Sequence, residues 1–338
     1  MSTTLTAPRP SGATTPSRPS LRGLARVVVR QHRWTLGIAG GLALAAVIGL
    51  IALVLRSSHV SGVFEASNCR IDGGAGRACD QTARDYADSL NTYRRILDYY
   101  TLSLMALPSV FGAWVAGPVI ARELESGTFR MAWTQSVSPA RWLAARLTVP
   151  VVLLVSGTAA LAVCLNWARA LTDLPYRPEW YSAHVFTTTG TVLAGHVLFA
   201  LCVGALAGLL IRRVIPALTV SVLATGAVMG TFVYARGYLW PRSTVTGRSL
   251  DVEPDIWWVK TGHITGAGER LSQDVCAQVS SVQAYARCMT DHDVTSHYLD
   301  YHPASHFWPI QLVETGILLA LAAVALALAF RALRRLHG

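Results

Sequence analysis

The chain has a single lysine, Lys260, in 338 residues. A phosphate-binding P-loop needs G-x-x-x-x-G-K-[ST], because the lysine ammonium sits on the nucleotide phosphates. Lys260 lies in WWVKTG, with no glycine at the required spacing, so the sequence holds no Walker A motif. Charge of either sign is scarce, at 14% of residues against 52% hydrophobic. There is no G-x-S-x-G, no H-E-x-x-H and no paired aspartate within an apolar run. No nucleophile, base and orienter can therefore be assembled from motifs. A secretory leader is not expected either. The first long apolar run starts only near Thr35, and no A-x-A-like site follows it.

Long apolar runs are what the chain has in abundance. Six segments approach the twenty residues that cross a hydrocarbon core: Thr35–Leu55, Thr101–Ile120, Leu147–Trp167, Val185–Ile211, Val214–Tyr234 and Pro309–Phe330. The expected class is an all-α polytopic membrane protein with the lipid bilayer as its solvent. The fourth run is longest and is expected to tilt or to project beyond the bilayer.

Basic residues set the orientation. With the N-terminus inside, the inner segments carry fifteen arginines against Glu123 and Glu125 alone, while the longer outer segments carry fourteen basic residues and sixteen acids. This asymmetry follows the positive-inside rule and accounts for the net charge of +10 without nucleic acid. Both termini are thus expected in the cytoplasm, with the chain in the plasma membrane. Residues 1–34 read as a polar tail followed by a basic amphipathic helix suited to the membrane interface. Residues 35–234 hold spans one to five, 235–308 an external segment too long for a simple connection, and 309–338 the last span and tail. Cys69 and Cys79 fall in the first outer segment, and Cys276 and Cys288 in the last. Two pairs close in sequence on the oxidising side suggest disulfides 69–79 and 276–288, although other pairings satisfy the same counts.

Residues 121–146, between spans two and three, are expected to form a cytoplasmic elbow. Gly127 can end the second helix in the left-handed conformation. Ser138-Pro139 supplies an N-cap and an N1 proline for the third. Two readings of the stretch stay open on chemistry alone: a solvated loop whose tryptophans sit among headgroups, or a docking surface rich in Trp and Arg.

The run GPVIARELESGTFRMAWTQSVSPARW resembles the cytoplasmic signature of ATP-binding-cassette (ABC) exporter permeases of the six-span, type-2 class. Gly117, Pro118, Ala121, Arg122, Glu123, Glu125, Gly127, Thr128, Ala132, Trp133, Thr134, Gln135, Ser136, Arg141 and Trp142 carry the likeness. Residues 301–322 are similar to the last span of that class and its approach. The resemblance implies a partner ABC ATPase subunit that binds and hydrolyses ATP, a second permease copy or homologue, and no cofactor in this chain. It also implies an ATPase-docking set of Glu123, Glu125, Phe129, Arg130, Trp133, Gln135 and Trp142. The long outer loops carry no such likeness, so the resemblance does not extend to a substrate.

Polar residues inside apolar runs are costly and tend to face a bundle interior. His196, Thr188, Thr191 and Glu314 are therefore candidates for a substrate pathway. For each there is a structural alternative: one interhelical hydrogen bond for His196, a bond to its own helix for the threonines, pairing with an outer arginine for Glu314. Pro108, Gly112, Gly117 and Pro118 make the second span bendable. The pairs Gly37/Gly41, Gly204/Gly208 and Gly226/Gly230 permit close helix contact. DHDVTSHYLDYHPASH, at 291–306, is rich in histidine but has no strong metal-ligand spacing, and no metal is expected. The reading is an exporter permease subunit. A membrane scaffold or sensor, or an intramembrane enzyme, is the alternative.

Overall fold

A computed structural model describes residues 30, 33–70, 77–127, 138–171 and 178–335. The interfacial helix expected within 1–34 and the middle of the elbow lie outside the described residues. Among those described, six helices are long and apolar enough to cross a membrane. We label the helices α1 (Arg33–Ala66), α2 (Arg77–Phe111), α3 (Gly117–Glu125), α4 (Pro139–Leu171), α5 (Ala183–Thr189), α6 (Val192–Ile211), α7 (Val214–Ala235), α8 (Val282–Asp291) and α9 (Phe307–Arg335).

The first two spans run far past the apolar stretches. Helices α1 and α2 form a hairpin whose outer ends are joined by the Cys69–Cys79 disulfide, and Phe64 stacks on Tyr86 with centroids 4.1 Å apart. Here the polar sequence is helical because its apolar residues keep the helical period: Ala83, Leu90, Tyr93 and Leu97 are all buried. One turn of π-helix, Gly112–Ala116, separates α2 from α3. It falls among the Pro and Gly residues that made this span bendable.

Helix α6 is the centre of the bundle, with 61% of its apolar window buried. Glycine makes this possible. A Cβ on Gly204 would stand 2.6 Å from the Gly112 carbonyl oxygen, and one on Gly208 would stand 2.7 Å from that of Gly117. The α6 backbone therefore lies directly against the π-turn and α3. By contrast, Cβ atoms on Gly37, Gly41, Gly226 or Gly230 would meet nothing within 4 Å. The inner half of the core gathers Ile120 and Leu124 of α3, Trp142 and Leu143 of α4, Leu209 of α6 and Leu333 of α9.

The fourth apolar run is not one tilted helix. It breaks at Gly190–Thr191 into α5 and α6. The expectation of a continuous span fails because Gly190 leaves helical geometry, with φ −121° and ψ −146°, and a side chain from α9 occupies the break.

The external segment holds the sheet. Strands β1 (Ser243–Gly247), β2 (Trp257–Thr265), β3 (Arg270–Ser272) and β4 (Val294–His302) pair antiparallel in the order β1-β4-β2-β3. The Cys276–Cys288 disulfide ties α8 to the turn after β3. An aromatic cluster seats the sheet on the outer ends of the spans. Trp257 stacks on Tyr181 at 5.7 Å, Trp180 meets Phe307 edge-on at 6.0 Å, and the Trp180 indole donates to the Asp255 carbonyl at 2.9 Å.

Candidate functional site: a charged cluster at the broken fourth span

A break between two helices leaves backbone groups that need partners where they are buried. Two side-chain amides supply them here. Gln311 of α9 donates Nε2–H to the Phe186 carbonyl at 2.6 Å, and its Oε1 accepts from the Val192 N–H at 3.1 Å. Asn166 of α4 donates to the Thr188 carbonyl at 3.2 Å. The break is thus bridged from both flanks. A side chain at Gly190 would overlap the Gln311 amide where it now sits, so the amide would have to leave its two bonds.

One turn further along α9, Glu314 is fully buried. It accepts two hydrogen bonds from Arg236, Nε to Oε2 at 2.8 Å and Nη2 to Oε1 at 3.0 Å. This is a two-point guanidinium–carboxylate pair. Arg236 is only 2% exposed. Its Nη2 also donates to Thr187 Oγ1 at 3.3 Å, and its guanidinium lies 4.0 Å over the Phe186 ring. His196 Nε2 stands 3.7 Å from Glu314 Oε1. Among the described residues, neither imidazole nitrogen has a hydrogen-bond partner. The cluster therefore links α5, α6, the end of α7 and α9 through one two-point pair with the His196 imidazole beside it.

The four pathway candidates divide. His196 and Glu314 come together. Thr188 donates back to the His184 carbonyl at 2.8 Å, and Thr191 meets the Thr315 hydroxyl at 2.8 Å; both sit at the break but point away from the charged pair. A separate cavity of about 560 Å³ opens between α1, α2 and α4, walled by Leu50, Leu104, Leu107, Leu154 and Leu165. None of the four candidates lines it. Sequence reasoning missed Arg236, Gln311 and Asn166. The available signal was periodic: Gln311, Glu314 and Thr315 share one face of α9 at i, i+3 and i+4.

At the opposite end of the bundle, Gly127 takes the left-handed conformation, φ +70°, and α4 starts at Pro139. Glu123 pairs with Arg146, joining α3 to α4. The Glu125 carboxylate accepts from the Val214 N–H at 3.4 Å, at the positive end of α7. Trp142 is 7% exposed and packs in the inner core. Phe129, Arg130, Trp133 and Gln135 lie outside the described residues.

The histidine-rich external stretch forms imidazole pairs. His263 Nδ1 lies 2.9 Å from His297 Nδ1, and His302 Nδ1 lies 3.0 Å from His306 Nδ1. His302 donates Nε2–H to the Gly237 carbonyl at 3.2 Å. In its neutral form its Nδ1 must then accept from His306. Burial pushes the pKa values of both His263 and His302 down, and the facing His297 lowers that of His263 further. Among the described residues, Cys276, Cys288 and His292 stand close enough to hold an ion, but both sulfurs are in the disulfide.

A family model described as "ABC-2 membrane transporter related" matches residues 40–236, more than half of the chain. The match takes in the first five spans, the elbow and Arg236. Comparison with curated proteins and with solved structures returned no match.

Proposed function

This chain belongs to the ABC-2 membrane transporter related family, and as a permease subunit of that family we propose that it is driven by ATP hydrolysed in a separate ABC ATPase chain. The observation that carries this reading is a family match running through the elbow in a sequence with no Walker A motif. The subunit moves its cargo outward across the plasma membrane, paired with a second six-span unit, with both termini in the cytoplasm.

The elbow is the proposed docking point. Phe129, Arg130, Trp133 and Gln135 contact the ATPase surface, and Glu123, Glu125 and Trp142 hold the elbow's ends against α4, α7 and the inner core. A push on the elbow then reaches α3 and α4, and through the close glycine contacts reaches α6. The broken span and its charged cluster lie at the outer end of that path. There His196 and Glu314, with Thr188 and Thr191 at the break, belong to the substrate route or its outer gate. Discontinuous helices in transporters suit this role because they change shape without exposing backbone to lipid.

Trp133→Ala is expected to reduce co-purification of the ATPase, or to uncouple hydrolysis from transport. Unchanged co-purification together with unchanged coupling would remove the elbow from this role.

A further inference from the structure

Where α6 and α9 end side by side, a cavity of about 420 Å³ is walled above by Leu206, Leu210 and Leu328 and below by Arg212, Arg331 and Arg335. Leu210 is 62% exposed and Leu328 is 45% exposed, so the apolar wall is continuous with the lipid-facing surface. Arg331 and Arg335 lie one turn apart on α9 and project to the same mouth. No acid lines the cavity. Nearby, Glu123 is engaged by Arg146 and Glu125 faces the start of α7. Among the described residues the three guanidiniums have no carboxylate partner.

Arg212 is the informative member. It caps α6 in the left-handed conformation, φ +55°, with its N–H on the Gly208 carbonyl. Helices commonly end this way on glycine, which has no Cβ to clash. Here the chain places arginine in that backbone, and its side chain lines the cavity with the other two.

We propose that this cavity is a binding site for the phosphate headgroup of an anionic phospholipid, with an acyl chain lying along Leu210 and Leu328. Three guanidiniums one turn below an apolar wall match the order of charge and hydrocarbon in a lipid. Each offers the forked donors that suit phosphate oxygens. A soluble protein partner would satisfy the arginines but leave the leucines uncovered. The inference rests on the membrane setting of the chain and not on what it transports.

The test uses the full chain in detergent, with native mass spectrometry against phosphatidylglycerol and phosphatidylcholine. Phosphatidylglycerol is expected to be retained selectively, and Arg331→Gln/Arg335→Gln to weaken it by about tenfold or more. Arg94→Gln/Arg95→Gln, which removes two exposed charges from the outer hairpin, should leave it unchanged. Arg212→Gly guards against misfolding: it relieves the left-handed backbone, so thermal stability should hold or rise while phosphatidylglycerol binding falls. Equal retention of both lipids would overturn the proposal. So would unchanged binding in these variants, competition by inorganic phosphate alone, or a variant that loses only the ATPase.

Discussion

Arg236 and Glu314 carry opposite full charges into the same dry place, and each makes the other tolerable. Removing water from one such ion costs several kcal/mol, which close, two-point pairing offsets. Removing a single partner is therefore the severe change. Glu314→Ala should destabilise the folded chain by about 3–5 kcal/mol, read as a large fall in its unfolding temperature in detergent. Replacing both, as Arg236→Met with Glu314→Leu, should recover most of that loss. If the two single losses simply add in the double variant, the pair is not coupled as described. The pairing of Glu314 with an outer arginine was one of the sequence alternatives. That the arginine is Arg236 was not legible, because it stands 78 residues away and it comes near Glu314 only because α7 and α9 both pack against α6.

At the scale of elements, the broken fourth span depends on a side chain from another helix. Gln311→Leu keeps the volume but leaves the Phe186 carbonyl and the Val192 N–H without partners. Each orphaned group costs about 1–3 kcal/mol. Unfolding should occur at a clearly lower temperature than in Leu312→Ala, a change at a lipid-facing neighbour that is 60% exposed. An equal effect of the two would mean that Gln311 does not hold the break. The sequence hid this feature because hydropathy sees only apolar content, and Val185–Ile211 is apolar throughout. The end of α3 at Gly127 and the start of α4 at Pro139 were legible for the opposite reason: these residues act on their own backbone, and local chemistry can be read locally. Polar helical extensions such as Arg77–Tyr100 fall between these cases. Their periodic apolar face was present, but a search for membrane spans passes over it.

The external sheet has its own pH dependence. His263 and His302 are buried, 5% and 0% exposed, and their pKa values lie below the ordinary 6.5. For His302 the bond to Gly237 pulls upward, against burial, His306 and Arg242. A group with a depressed folded pKa binds protons more readily when unfolded. Its stabilisation is complete above about pH 6.5 and is lost as pH falls toward the folded value. Hydrogen exchange in β2 and β4, corrected for intrinsic rates, should therefore rise between about pH 7.5 and about pH 5. His263→Gln should reduce that rise. A pH-independent sheet would contradict the burial argument.

At the scale of the whole molecule, the bundle has a clear division of labour. The end of α3, the start of α4 and the start of α7 are tied together by Arg146, Glu123 and Glu125. The glycine-lined contact sets the backbone of α6, the most buried of the candidate spans, directly against the π-turn and α3. The opposite end of the bundle carries the charged cluster and, beside it, an aromatic-seated sheet. The six-span layout could be read from the sequence because twenty apolar residues admit few alternatives in a chain this poor in charge. The sheet could not, since the burial of its strands alternates irregularly and Trp257 packs on Tyr181, an aromatic residue distant in sequence.

ATP hydrolysis and cargo movement in sealed liposomes, measured with this chain alone and with a candidate ABC ATPase added, test the central claim most directly. The chain alone should hydrolyse no ATP, and the pair should hydrolyse it while moving cargo. Hydrolysis by the chain alone, or a pair that hydrolyses ATP but moves no cargo across a panel of candidates, would contradict the account.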